Sequence, residues 1–177
     1  MGCKEHGGSS INRTLLMRSI LIMIIMIAAL SIQAQKKIKV DKFSKDTVST
    51  MAAVLVKHEV FWSMSLKPYE INQADYLKLQ WTSVNIMSIY KKHAMSFLME
   101  DGSVVELYPT KSKVSDYVTS EPTTWSMSLM YYMPKDKKEA LMASLVTHVR
   151  VMTVDGYTEK KMKKKRAKKL LAKLKLM

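Results

Sequence analysis

One pentapeptide, Trp-Ser-Met-Ser-Leu, occurs at residues 62–66 and again at residues 125–129. In both copies large apolar residues alternate with serines, so an extended chain places the tryptophan, methionine and leucine on one face and the serines on the other. A period of two residues is typical of a strand with one buried face and does not fit an amphipathic helix. The pattern therefore predicts two strands in the wall of a core, with Trp62 and Trp125 on the core side.

An Asp-Gly pair follows each copy of the pentapeptide, at Asp101-Gly102 and at Asp155-Gly156. Each pair separates two alternating apolar runs, which predicts a β-hairpin with a type I′ turn, because both central residues of that turn need positive φ. The distance from tryptophan to aspartate is 39 residues in the first half and 30 in the second. An internal duplication, independent strands with the same pattern, and a shared binding surface all stay open as interpretations.

The other segments complete the predicted elements. Pro134 is suited to the first position of a helix that extends to residue 145. Residues 109–124 contain two prolines and many serines and threonines, which predicts the longest loop of the chain. Further strands are predicted at residues 36–40, 47–56, 76–81 and 84–90, with a polar turn at residues 42–46.

The last segment, residues 163–177, has the pattern of a basic amphipathic helix. We expect one side of it to pack on the sheet and the other side to project Lys165, Lys168 and Lys169 into solvent. The apolar residues at helical spacing are Ala167, Leu170, Leu171, Leu174 and Met177. The predicted fold class is therefore α+β: a mainly antiparallel β-sheet with one internal helix and this basic C-terminal helix packed on it.

The first segment of the chain predicts export. Residues 20–30 read ILIMIIMIAAL, a run of 11 residues without charge, where about 20 are needed to span a bilayer. Arg13 and Arg18 precede this run, and small or polar residues follow it as far as Ala34. A basic start, a short apolar centre and a small-residue end are typical of a cleaved signal peptide.

Residues 1–34 are therefore predicted to be the signal-peptide segment, with translation starting at Met17, and residues 35–177 a single exported domain without a transmembrane segment. The predicted location is the periplasm or the outside of the cell. Cys3, the one cysteine, precedes the apolar run, whereas a lipid-modified cysteine would follow it, so a lipoprotein is not expected. The exported part has no cysteine, which excludes disulfides, thiolate zinc sites and cysteine nucleophiles.

The net charge of +14 is concentrated near the end of the chain. Residues 160–177 hold 10 basic and no acidic residues, whereas residues 35–159 have an excess of only two basic residues. This distribution gives no domain-wide basic face, so a specific nucleic-acid partner is not predicted. The expected partners of the basic helix are an anionic membrane surface or an acidic protein, and the sequence does not indicate an oligomeric state.

The residue types that carry chemistry are scattered. His58, His93 and His148 have none of the short spacings through which one element supplies two metal ligands. The chain has no glycine-rich phosphate loop and no serine in a nucleophile elbow. The methionines of the strands alternate in step with aromatic and aliphatic residues, which indicates core packing and not copper binding. We therefore predict no cofactor and no metal.

Carboxylates offer the one catalytic alternative. A glycoside hydrolase needs two of them about 5–9.5 Å apart. Glu100 with Glu106, or Asp155 with Glu159, could meet across the predicted hairpins. The simpler interpretation is that the aspartates form the turns and the glutamates lie on solvated strand faces.

Several stretches together resemble a group of small, uncharacterised exported bacterial proteins. They are VDKF at residues 40–43, TVST at 47–50, FLMEDGSVVELY at 97–108 and KKEALMASLVTHVRVMTVDGY at 137–157, which continues into the lysine-rich terminal helix. The resemblance implies an exported α+β domain and brings no functional residues with it.

The function favoured by the sequence is that of a non-enzymatic binding module that acts through protein or envelope-surface contacts, with Lys165, Lys168 and Lys169 as contacts to an anionic surface. No catalytic, cofactor-binding or metal-binding residue is assigned. The alternative is a periplasmic hydrolase that acts on a cell-wall or glycan substrate through an Asp/Glu pair.

Overall fold

The structure is a computed structural model that describes residues 36–40, 46–60 and 62–177, without the side chain of Ser120. These residues all belong to the unit Gln35–Met177. The predicted signal peptide at residues 1–34, its start at Met17 and the position of Cys3 lie outside the described residues. Most of the predicted turn at residues 42–46 lies outside them too.

The described residues form strands and two helices, so the coarse α+β prediction is confirmed. The first helix begins one residue after Pro134 and ends before Ser144, and the second begins one residue after Lys163. The strands are β1 Lys37–Val40, β2 Thr47–Thr50, β3 Val54–Glu59, β4 Trp62–Ile71, β5 Ala74–Ser83, β6 Ser88–Ile89, β7 Met95–Met99, β8 Val104–Pro109, β9 Lys113–Val114, β10 Asp116–Ser120, β11 Thr123–Tyr132, β12 Val146–Thr153 and β13 Gly156–Lys161; the helices are α1 Lys135–Ala143 and α2 Lys164–Leu174.

Most of the described strands join in one antiparallel sheet with the order β1-β2-β4-β5-β11-β8-β7-β12-β13. Two short strands extend it, since β3 pairs with β4 and β10 pairs with β11. The small strands β6 and β9 pair with each other. The sheet curves back on itself and brings β13 against β3, so one face of the sheet, the inner face, surrounds the core and the other, the outer face, points away from it.

The two copies of the pentapeptide occupy matching places on either side of β5. Trp81 of β5 lies opposite Met64 of the first copy and Met127 of the second. Leu79 lies opposite the two leucines in the same way. The methionines and leucines of both copies are buried, whereas Trp62 and Trp125 are half-buried and pack against the core from its rim. The prediction of two core-wall strands is therefore confirmed, and the most deeply buried indole is that of Trp81.

Both helices cover the inner face. Leu141 of α1 and Ala167, Leu170 and Leu174 of α2 are buried in the core. An ion pair of 2.8 Å between Lys138 and Asp75 ties α1 to β5. The expectation that the strand methionines fill the core is confirmed for Met64, Met95, Met99, Met127 and Met133, all of which are buried.

The turns differ from the prediction. The two Asp-Gly pairs do form hairpins, β7–β8 and β12–β13, but only Gly102 and Gly156 have positive φ there, so these turns are not type I′. The two-residue loop with positive φ at both positions is Asn72-Gln73, between β4 and β5, with φ of 49° and 66°. Glutamine is not a residue that such a loop favours, which explains why the sequence did not reveal it.

The prediction of a loop at residues 109–124 was wrong. It contains β9 and most of the hairpin in which β10 pairs with β11, and the turn of that hairpin holds a cis peptide bond before Pro122. The two prolines suggested a loop, yet they lie only at the end of β8 and in the turn. The valines, threonines and tyrosine between them are strand-forming residues.

Candidate functional site

The exposed side of α2 is the candidate site that the sequence predicted. Lys165, Lys168 and Lys169 are exposed there, and no hydrogen bond or ion pair joins them to other described residues. They lie opposite the buried residues Ala167 and Leu170 because the apolar residues recur at helical spacing. We call the exposed side with these three lysines the lysine face.

Other basic residues of α2 hold the helix on the sheet. Arg166 donates a hydrogen bond of 2.9 Å from Nη1 to the carbonyl oxygen of Val56, and Lys173 donates from Nζ to the carbonyl oxygen of Ala52. Both acceptors lie in or beside β3. These contacts fix which side of the helix faces solvent and leave the lysine face free.

The beginning of α2 concentrates positive charge. Lys163 precedes the helix, no side chain caps its first turn, and that turn contains basic and no acidic residues. The N-terminal end of a helix already carries a partial positive charge, so cations there are unfavourable. Glu100, which lies 3.3 Å from Lys164 and is itself exposed, neutralises little of this charge.

Lys173 lies in the last turn of α2, one helical turn after Lys169. Burial lowers the pKa of its ammonium group below the usual value, and the nearby charge of Lys169 lowers it further. Lys169 and Lys173, one helical turn apart, therefore repel each other.

The structure separates both predicted carboxylate pairs. Glu106 lies opposite Ser96, about four strand positions or ~13 Å along the hairpin from the turn that holds Glu100. Asp155 lies in the β12–β13 turn, and Glu159 lies a similar distance along β13, opposite Arg150. Neither pair has the short separation that glycoside hydrolysis requires.

A different carboxylate arrangement occupies the outer face. Glu106, Ser96, Arg150 and Glu159 form a row across four strands and line a shallow cavity of about 170 Å³. Arg150 lies between the carboxylates and binds Glu159 with its Nη2 at 2.6 Å, which raises the pKa of Arg150. Three strand spacings separate the two glutamates by ~14 Å at their Cα atoms, so the row holds one ion pair, Arg150–Glu159, and one hydrogen bond, Ser96–Glu106, and is not a catalytic dyad.

The histidines lie apart. His58 is in β3 and His148 is in β12, while His93 follows β6 and its ring lies 5.4 Å from the ring of Tyr90. Among the described residues no group of three histidine, cysteine or acidic side chains could hold a metal ion.

A row of four tyrosines on the outer face is a feature that the sequence analysis missed. Tyr69, Tyr76, Tyr132 and Tyr108 lie directly opposite one another on β4, β5, β11 and β8. The ammonium group of Lys67 lies 4.8 Å above the ring of Tyr69. The sequence could have indicated that Tyr69 and Tyr76 are neighbours, because they lie at equal distances from the Asn72-Gln73 loop. The positions of Tyr132 and Tyr108 in the row depend on pairing between strands that are distant in the chain.

Trp62 and Trp125, although equivalent in register, have different surroundings. The ring of Trp125 contacts Tyr117 of β10, 5.6 Å away. The ring of Trp62 contacts Trp81 at 6.1 Å, and these two indoles line a cavity of about 270 Å³. The two copies of the pentapeptide therefore do not form a shared binding surface.

Within the described ranges neither helix has the length and apolar character needed to cross a membrane. Comparison with known proteins gives no match: no protein-family model, no curated protein and no solved structure is matched by this chain. The resemblance to uncharacterised exported proteins therefore stays a prediction.

Proposed function

We propose that this protein is an exported, non-enzymatic binding module that attaches to an anionic envelope surface through the lysine face of α2. The observation that carries the proposal is the exposure of Lys165, Lys168 and Lys169 on a helix whose opposite side is fixed in the core. Three ammonium groups held on one side of a rigid helix can contact a plane of negative charge together. Each lysine near an anionic leaflet strengthens binding by about 1 kcal/mol.

The electrostatics of α2 support this function. Its first turn combines a helix dipole with the charges of Lys164, Lys165 and Arg166 and has no acidic neighbour in that turn. An anionic surface would relieve this repulsion, which makes attachment more favourable than the number of lysines alone implies. A membrane surface fits better than nucleic acid, because the signal-peptide pattern of residues 1–34 favours export and the charge is confined to one helix.

The hydrolase alternative has weaker support. The carboxylates predicted to form pairs are far apart, and Glu159 already binds Arg150. A glycosidase needs one carboxyl group to protonate the leaving oxygen and a second, unpaired one on the other side of the bond. Neither predicted pair has this arrangement, and Glu70 and Asp75, which lie opposite each other on β4 and β5, each bind a lysine, so we favour binding without catalysis.

We also infer that the repeated pentapeptide marks two equivalent strand positions and not a duplicated unit. Both copies pair with β5 in the same register. The β7–β8 and β12–β13 hairpins that follow the two copies are arranged differently in the sheet. The first hairpin pairs with the preceding part of the sheet, at β11, through its second strand, β8. The second hairpin pairs with β7 through its first strand, β12. One duplicated unit would repeat the order of its strands.

Sedimentation with lipid vesicles tests the attachment. The protein is mixed with vesicles of phosphatidylcholine alone or with phosphatidylglycerol, over a series of salt concentrations. We expect binding only to the anionic vesicles, and binding that weakens as salt rises, since salt screens exposed charges. The triple change Lys165→Gln, Lys168→Gln and Lys169→Gln should weaken binding about a hundredfold.

The matched control changes three exposed lysines outside α2, Lys91→Gln, Lys92→Gln and Lys111→Gln, with the same loss of net charge. Retention of most of the binding by this control would assign the contact to the lysine face. An equal loss of binding in both triple variants would mean that binding depends on net charge and not on the lysine face. Absence of binding by the unchanged protein would contradict the proposal.

A further inference from the structure

A cavity of about 270 Å³ lies beside Trp62, at the end of the sheet where β4 and β5 meet the tip of the β12–β13 hairpin. Its walls combine aromatic rings with short polar side chains. Trp62 and Trp81 supply two walls, and Asp155 supplies a carboxylate. Concave sites with a few polar groups among aromatic walls are the usual form of small-molecule sites, and a volume just below their usual range of about 300–1,000 Å³ limits the ligand to a small one.

The two indoles are arranged for contact with a ligand. Their rings are 6.1 Å apart and inclined by 66°, so they form a corner and do not cover each other. Trp81 is 4% exposed, and its indole N–H has no acceptor among the described residues. A buried donor without a partner is unfavourable, and because this nitrogen is closed to solvent, a ligand in the cavity meets the ring of Trp81 and not its N–H.

Exposed apolar side chains line the rim of the cavity. Val84 and Ile86 from the loop after β5 are exposed, and Tyr157 on β13 is 61% exposed. Exposed apolar residues that cluster around a cavity are typical of a binding site and not of an ordinary surface. The rim can cover the apolar side of a ligand while polar groups within the cavity bind its hydroxyls.

The charges around the cavity limit the class of ligand. The ammonium group of Lys160 lies 4.5 Å above the ring of Trp62, and the guanidinium group of Arg150 lies 4.5 Å above the ring of Tyr157. Each of these rings therefore already has a cation on it, so a cationic ligand would be repelled. Asp155 in the cavity disfavours an anion, which leaves a neutral ligand.

We propose that this cavity binds a single neutral sugar ring. One face of a pyranose presents C–H groups that fit the negative face of an aromatic ring, and its edge carries hydroxyls that can donate to a carboxylate. The face of Trp62 that Lys160 does not cover provides the stacking surface, and Asp155 accepts hydrogen bonds. This site is separate from the lysine face and does not depend on attachment to a surface.

The indole N–H resonances of the three tryptophans provide the test. Isotope-labelled protein is titrated with glucose, galactose, mannose and N-acetylglucosamine, and in parallel with tetramethylammonium and glucuronate. We expect at least one neutral sugar to shift the resonances of Trp62 and Trp81 in a saturable way. The resonance of Trp125, in the second copy of the pentapeptide, serves as the internal control and should not move.

The change Asp155→Asn should weaken the binding of that sugar about tenfold, because a hydrogen bond to a charged carboxylate is replaced by a weaker one to a neutral amide. Asp101→Asn, in the equivalent turn of the other hairpin, is the matched control and should bind as the unchanged protein does. Unchanged affinity in Asp155→Asn, equal movement of Trp125, or no response to any of the four sugars would overturn the proposal. A response to tetramethylammonium or glucuronate alone would overturn it in favour of a charged ligand.

Discussion

Tyr131 shows how much one buried polar atom can matter in this core. It is the largest fully buried side chain among the described residues, and its hydroxyl has no hydrogen-bond partner among them. Burial raises the pKa of this phenol well above the ordinary value of 10.0. Unfolding at high pH releases the proton that the folded state retains, so stability falls as pH rises above about 10.

The change Tyr131→Phe removes the unpaired hydroxyl and keeps the ring. We expect the free energy of unfolding at neutral pH to rise by about 1 kcal/mol, because the lost group was buried without a partner. The difference from the unchanged protein should grow above pH 10, where only the unchanged protein loses stability by ionisation of residue 131. Urea unfolding at neutral and alkaline pH measures both effects, and a less stable variant at neutral pH would contradict the unpaired state of the hydroxyl.

At the scale of elements, the β4–β5 hairpin organises the sheet. Strand β4 contains the first copy of the pentapeptide, and β5 contains the residues that pair with both copies. The two strands also hold two members of the tyrosine row. The loop that joins them contains two residues with positive φ, Asn72 and Gln73. Asparagine tolerates this conformation, whereas glutamine is strained in it.

The change Gln73→Gly should therefore stabilise the protein by about 0.5–1 kcal/mol, since glycine adopts positive φ without a steric penalty. Gly102→Ala provides the opposite case. An added Cβ there meets no atom within 4 Å, yet φ is +86°, so the backbone conformation alone should make the variant less stable by about 1 kcal/mol. Chemical denaturation of both variants tests the pair; destabilisation by Gln73→Gly would show that the glutamine side chain has a role of its own.

At the scale of the whole molecule, the last helix completes the core that the strands begin. The sheet curves until β13 reaches β3, and α2 packs across β3, β4 and β12 on the inner face. Residues near the end of the chain thus contact strands from its beginning. The helix that carries the lysine face is also part of the cooperative fold.

The change Leu170→Ala should lower the free energy of unfolding by about 2–5 kcal/mol, because this side chain is 1% exposed and its removal leaves a cavity. Leu176→Ala, at a position that is 51% exposed, should change stability by less than about 0.5 kcal/mol. Thermal unfolding of the two variants and the unchanged protein measures these differences in stability. Similar small effects would mean that α2 lies on a completed core and adds little to its stability.

The strands of the pentapeptides and the apolar side of α2 could be predicted because each depends on spacing within one short segment. Met64 and Leu66 alternate with serines, and Ala167 and Leu170 lie three residues apart, so their faces follow from the geometry of a strand or helix. The exposure of Lys165 follows in the same way. The loop at residues 109–124 was misjudged because proline was given more weight than the strand-forming residues between the two prolines.

The sequence by itself thus determined which residues of the pentapeptide strands and of α2 are buried, since burial there follows a local period of two or of about 3.6. Only the tertiary structure decided that β5 separates the two pentapeptides, that four tyrosines align across four strands, and that Trp62, and not Trp125, lines a cavity with Trp81. These features depend on the register between segments that are distant in the chain. Several registers satisfy the same local pattern, and packing of the whole sheet against both helices selects one of them.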